Sequence, residues 1–176
     1  MKGFTRPAPG DYAPYYEQYI NLVEEGDIVR ILRLSAFETI VFLENLTEEQ
    51  WISRYAPGKW SMKESLLHLI DTERVMAYRA LRFSRGDSTE LTGFDQDAYV
   101  PSSAADQRAP RSLIEEYQAV RNASVQLFKN LPAEAWDKKG KANGHMVTVR
   151  ALAYIIAGHE LHHKIIFRTR YLQEMS

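Results

Sequence analysis

Cysteine is absent from all 176 residues. That excludes disulfides, cysteine-ligated zinc and thiol catalysis by the chain itself, so any metal site has to be built from histidine and carboxylate. No stretch approaches the ~18 uncharged apolar residues of a membrane helix. Met1-Lys2-Gly3-Phe4-Thr5-Arg6-Pro7 also carries no apolar run of signal-peptide length, so a cytoplasmic protein is the expectation. Charge of one sign is missing too: 22 basic and 23 acidic residues leave a net charge of −1, without a basic or acidic block. Neither nucleic acid nor a membrane surface is an expected partner. Period-two alternation is missing throughout, which leaves an all-α class.

What is present is enough for one core. With 45% apolar residues, a single domain over residues 1–176 is expected. Residues 1–14, with Pro7, Pro9, Gly10 and Pro14, form an irregular lead-in. A short amphipathic stretch runs from Tyr15 to Glu24, and Asp27 caps a helix from Ile28 to Leu46 whose apolar positions include Ile28, Leu32, Ala36, Ile40 and Leu43. Residues 47–60 are expected as a loop. Ser61-Met62-Lys63-Glu64 is a capping box that opens a second helix reaching about Arg85. Residues 86–110 lack periodicity and form a long loop, in which Phe94 and Tyr99 beside Asp95 and Asp97 suggest an ordered cover. A third helix spans about Arg111 to Leu131, a polar loop covers Asp137 to His145, and a last helix runs from Val147 to Leu172 behind Thr148 as N-cap. Leu46-Thr47-Glu48-Glu49-Gln50-Trp51 and Leu131-Pro132-Ala133-Glu134-Ala135-Trp136 echo each other ahead of helices two and four. The sum is a four-helix bundle with a long loop between helices 2 and 3.

The chemistry-bearing residues are histidines. His159 and His163 stand four apart on the last helix, facing one point from about 6 Å apart, whereas His162 is turned about 100° away. His68 lies inside the second helix in polar company, with Glu64, Asp71 and Thr72. Three neutral nitrogens from two helices can hold a divalent first-row ion and leave a position open for water or substrate. His159-Glu160-Leu161-His162-His163 also fits the His-Glu-x-x-His pattern of zinc proteases, but Ile166 and Thr169 stand where the extended pattern has Gly and its third His. Glu174 is the remaining downstream acid, close to the chain end.

Lys59 to Arg74, with its Trp60-Ser61 start and central His68, resembles the second-helix signature of the DinB-like (DinB/YfiT-type) superfamily of metalloproteins. Gly158-His159-Glu160-Leu161-His162-His163 resembles its last-helix signature, and Gly93-Phe94-Asp95 a loop element of one branch. The resemblance implies a four-helix bundle, often a homodimer, with His68, His159 and His163 as ligands of zinc or nickel. It further implies a small-molecule substrate, through hydrolysis or through transfer or isomerisation with a low-molecular-weight thiol. A non-catalytic bundle serving as a stress-response or interaction module is the alternative.

Neighbouring residues carry paired readings. Asp71 is a candidate base or orienter of His68, against an ion pair with Arg74 or Arg79. Glu160 is expected to face a neighbouring helix or solvent. Arg79 and Arg82 suit a substrate carboxylate, or else the helix C-terminal dipole. Asp95 and Asp97 either close over the site or cap local amides. The N-terminal tyrosines are expected as core or dimer surface.

Overall fold

The computed structural model describes residues 5–173. A 3-10 turn at Pro14–Tyr16 leads into α1 (Glu17–Ile20), so the expected amphipathic stretch to Glu24 is helical only over its first part. Three of the four long helices follow the capping residues read from the sequence. Asp27 accepts from the amides of Val29 and Arg30 at the start of α2 (Ile28–Glu44). Between them and the next capping site, residues 47–60 are not all loop: Thr47 and Gln50 form a second capping box, opening α3 (Glu48–Ile52), whose Trp51 is buried. The Ser61–Glu64 box starts α4 (Met62–Ser84).

The expected long loop between α4 and the next bundle helix is a folded segment. It contains α5 (Gln96–Ser103), capped by Asp95, and a 3-10 turn at Ala105–Gln107. Pro101 inside α5 and a single buried residue, Val100, leave no apolar period to read. Next come α6 (Pro110–Lys129), with Pro110 in its tolerated first-turn position, and α7 (Val149–Ile166), where the Thr148 hydroxyl accepts from Ala151 N. The last helix is shorter than expected: one π-helical turn, Phe167–Tyr171, carries on where the regular helix ends.

The expected polar loop before α7 is instead a β-hairpin, β1 (Lys139–Ala142) with β2 (His145–Thr148). Asn143 and Gly144 connect the strands, both with positive φ (50° and 77°), the residue pair that a two-residue type I′ turn requires. Leu91 adds a parallel bridge to Ala142, tying the segment after α4 to the hairpin.

In the bundle, α2 and α4 each pack against both α6 and α7. Each therefore stands diagonal to the other, and the histidine-bearing α4 and α7 are neighbours. Two apolar clusters fill the ends, one around Ile28, Leu32, Phe83, Phe128 and Leu152, the other around Leu43, Trp51, Leu66, Tyr117 and Phe167. Between them all four helices bury polar groups: Thr39 from α2, Thr72 and Glu73 from α4, Arg121 from α6, His159 and Glu160 from α7.

Gly158 fixes the seat of α1 against α7. A Cβ there would lie 2.0 Å from the Tyr19 carbonyl oxygen, a backbone atom that cannot rotate away. Gly158→Ala is thus expected to push α1 outward and cost about 1–3 kcal/mol, seen as a lower midpoint in urea denaturation. An unchanged midpoint would mean that α1 is not held at this contact.

Candidate metal centre

Three buried imidazoles meet in the polar layer. His68 Nε2 lies 3.2 Å from His159 Nε2, and His163 Nε2 lies 3.1 Å from the same atom. One ligand atom from each lies within 4.8 Å of the others. His162 is absent from the cluster, as its rotation on the helix predicts. Burial pushes the His68 ring down to about 4 and the His163 ring, with its histidine neighbours adding to the effect, down to about 3. His159 is driven well below the ordinary histidine range, first by burial and then by the other histidines.

Neutral rings in this arrangement cannot satisfy one another. His159 Nε2 either donates one hydrogen or accepts one, yet it has two imidazole nitrogens within 3.2 Å. Ligand nitrogens about 2.0–2.1 Å from a tetrahedral ion sit about 3.3 Å apart, close to the spacings found here. The donor set therefore fits a divalent cation. His163 Nδ1 is buried without a partner, so that ring departs from the usual pattern in which the second nitrogen donates to a carboxylate or carbonyl.

Aromatic side chains pack around these rings. Trp60 lies 4.9 Å from His68 between centroids, Tyr19 stands edge-on to His159 at 5.3 Å, and Phe167 is 6.1 Å from His163. Trp60 belongs to the Lys59–Arg74 signature, whereas Tyr19 and Phe167 carry no sequence signal beyond aromaticity. The N-terminal tyrosines, expected as core or dimer surface, include Tyr19 in this wall, and its hydroxyl is 2.9 Å from that of Tyr15.

The paired readings separate in the structure. Asp71 Oδ1 accepts from Arg74 Nη1 at 3.2 Å, and no hydrogen bond joins it to His68 among the described residues. It is half-buried in a crevice shared with His68, and desolvation raises its pKa against the pull of Arg74. Phe94, Gln96 and Tyr99 form the opposite wall of that crevice, so the segment between α4 and α6 does cover the His68 side. Asp95 caps α5, as the second reading has it. Arg82 pairs with Asp87 and Tyr78 at the end of α4, outside the site. Arg79 is buried. Glu174 lies outside the described residues, and Thr169 donates to the Ile165 carbonyl, so the described residues supply no third ligand of the protease pattern.

Glu160 faces neighbouring helices. Its carboxylate accepts from Thr39 (2.5 Å), Tyr117 (2.5 Å) and Arg121 Nη1 (2.6 Å), while Arg121 also clasps Glu73 through Nε and Nη2 at 2.9 Å. Burial alone would raise the Glu160 pKa, but Arg121 and the two hydroxyls outweigh it and hold the group ionised. Sequence reading missed this network because its members come from four helices and, apart from Tyr117 and Arg121 one turn apart on α6, share no spacing.

A cavity of about 140 Å³ opens beside His159 and adjoins a second of about 130 Å³ that reaches the hairpin turn, the two sharing Tyr15, Tyr16, Met76, Arg79 and Asn143. The exposed His145 and Met146 stand at the outer end.

Comparison with known proteins places this geometry. YfiT from Bacillus subtilis, described as a probable metal-dependent hydrolase with an unusual four-helix bundle topology, superposes with a TM-score of 0.70 at 15% identity, over 96% of this chain and 92% of that one. A mycothiol-dependent maleylpyruvate isomerase superposes with a TM-score of 0.67 at 11% identity, over 83% of this chain and 61% of the isomerase. At such identities both likenesses speak for the fold. No curated protein matches the chain. The family model of the DinB superfamily matches residues 32–166, which takes in most of α2, all of α4, α6 and α7, and each of the three clustered histidines. The chain therefore belongs to the DinB superfamily.

Proposed function

We propose that this protein is a metal-dependent enzyme acting on a small molecule, with a divalent ion, zinc or nickel, held by His68, His159 and His163. The observation that carries the reading is the convergence of three buried Nε2 atoms at the head of a cavity. When bound, the ion supplies Lewis acidity, which brings the pKa of a water or thiol toward neutrality. Hydrolysis and thiol-dependent transfer both suit that chemistry; one structural neighbour is described as a probable metal-dependent hydrolase and the other as a mycothiol-dependent isomerase, which supports hydrolysis and the use of a thiol respectively.

The chain's own side chains divide the remaining work. Trp60, Tyr19 and Phe167 hold the imidazole rings by their edges and faces and keep water from their outer sides. Asp71, in the crevice beside His68, is the carboxylate to hold a proton during turnover. Thr72 and Arg79 line the cavity where a substrate would lie. The homodimer implied by the family resemblance would first cover Leu34, Phe37 and Val41, an exposed apolar stripe on α2.

Elemental analysis of protein purified without a tag or chelator tests the reading, alongside His68→Ala and His159→Ala. The expected result is about one equivalent of zinc or nickel in the parent and at least a tenfold loss in each variant. Full metal content in both variants would move the ion elsewhere and sink the proposal.

A further inference from the structure

Arg79 is 4% exposed and is not matched by an acid. Its partners among the described residues are the Thr92 carbonyl, 3.0 Å from Nη2, the Met76 sulfur, 3.7 Å from Nη1, and the Tyr16 hydroxyl. None of them neutralises the charge, and a guanidinium has five N–H donors to place. Arg121, equally buried, meets two carboxylates. The difference is that Arg79 lines both adjoining cavities, the inner of which reaches His159, so its remaining donors border space that a ligand can fill.

A second orphan lies along the same path. Thr72 Oγ1 is buried with no partner, lines the inner cavity, and sits one turn beyond His68 on α4. Tyr16, Tyr19 and Phe94 supply flat apolar walls there. Arg79 is eleven residues beyond His68, about 16 Å of helix rise, but helical side chains lean toward the N-terminus, and the Met76 contact has the guanidinium doing so. The gap left between guanidinium and histidines is the length of a small molecule.

We propose that the cavity binds a small carboxylic acid, its carboxylate paired with Arg79, a polar atom near Thr72 and its reacting end at His159. This deepens the functional reading above and rests on it for the identity of the reacting end. The anchor itself is independent of a metal ion. A carboxylate matches the planar guanidinium through two parallel hydrogen bonds, and the buried setting makes a neutral ligand a poor substitute, because the arginine charge would stay unpaired.

Phenylacetate and its uncharged counterpart phenylacetamide are suitable probes for the aromatic-walled cavity, with affinity followed by ligand-observed NMR in metal-loaded and metal-stripped protein. Phenylacetate is expected to bind both forms, about 10- to 100-fold more weakly in Arg79→Gln, and with parent affinity in Arg82→Gln. Phenylacetamide is expected to bind the parent more weakly than the acid does and to ignore either substitution. If Arg79→Gln fails to fold, the acid-to-amide ratio in the parent decides alone. Equal affinities for acid and amide, no binding of the acid, full affinity in Arg79→Gln, or binding lost with the metal while Arg79 is intact would each overturn the anchor. Metal content measured on the same samples separates the two ideas: acid binding that depends on Arg79 in protein that takes up no ion would remove the metal centre and leave the anchor.

Discussion

Arg121→Met is expected to cost about 3–5 kcal/mol, a large fraction of the stability of an ordinary domain. The side chain is 1% exposed, and it holds Glu73 and Glu160, both buried, on either side of its guanidinium. It also donates to the Leu32 carbonyl, 3.0 Å away, so one residue of α6 ties together α2, α4 and α7. Removing it leaves two carboxylates facing each other without water. Urea denaturation of the variant measures the loss, and a change under about 1 kcal/mol would contradict the account. The triple variant Glu73→Leu, Arg121→Met, Glu160→Leu is expected to recover much of the stability, because a buried ionic cluster owes its cost chiefly to being broken in part. Full recovery is not expected, since the hydroxyls of Thr39 and Tyr117 would lose their acceptor.

Acidification of the metal-free protein is expected to destabilise it between about pH 6.5 and pH 4, earlier than carboxylate titration alone would. The sign follows from the histidines. In the unfolded chain each titrates near its ordinary value of about 6.5. In the folded chain burial holds His68 near 4 and His163 near 3. Between those values the unfolded state binds more protons, so stability rises with pH. The contribution is whole above about pH 6.5 and drains away as pH falls toward the folded values. For His68 the shift corresponds to about 3 kcal/mol. Melting temperatures of chelator-treated protein from pH 7.5 to 4.5, compared with those of His68→Gln, isolate this term. The variant is expected to show a flatter slope, and parallel curves would count against the buried neutral ring. The same depression keeps the three imidazoles free of protons at neutral pH, the form in which they could bind the proposed ion.

Much of this architecture is legible in the chain because local rules and tertiary packing agree there. Asp27, Ser61 and Thr148 cap the helices that their side chains predict, and the four apolar periods mark the four bundle helices. His68, His159 and His163 could be brought together from an i, i+4 pair and a polar stripe on a second helix. Where the reading failed, the signal was either weak or passed over. Asn143-Gly144 is the strongest short-range hairpin signal there is, and the strands beside it were read as loop because Lys139, Gly140 and Lys141 carry no apolar alternation. α5 has a proline within it and one buried side chain, so no periodicity existed to find. α3 was announced by Thr47 and Gln50 but is a single short turn of five residues. The buried ionic network could not be foreseen from spacing, as charges on three helices look like solvated faces until the helices meet. Of the two arginines that suit a substrate carboxylate by sequence, only the structure separates Arg79, facing a cavity, from Arg82, closed by Asp87.

The cyclic order of the helices bears on how such a chain reaches its native state. The first two bundle helices, α2 and α4, stand diagonally, and so do the last two, α6 and α7. Each half of the chain resembles the other around Trp51 and Trp136, yet neither half contains a pair of adjacent long helices. A helical hairpin formed early from either half would have to open before the other pair could enter. The halves must interleave, and the search is for contacts distant in sequence, such as His68 with His159, 91 positions apart. Bundles with consecutive neighbours fold from local contacts, whereas this one has a higher contact order and a correspondingly slower approach to the folded state.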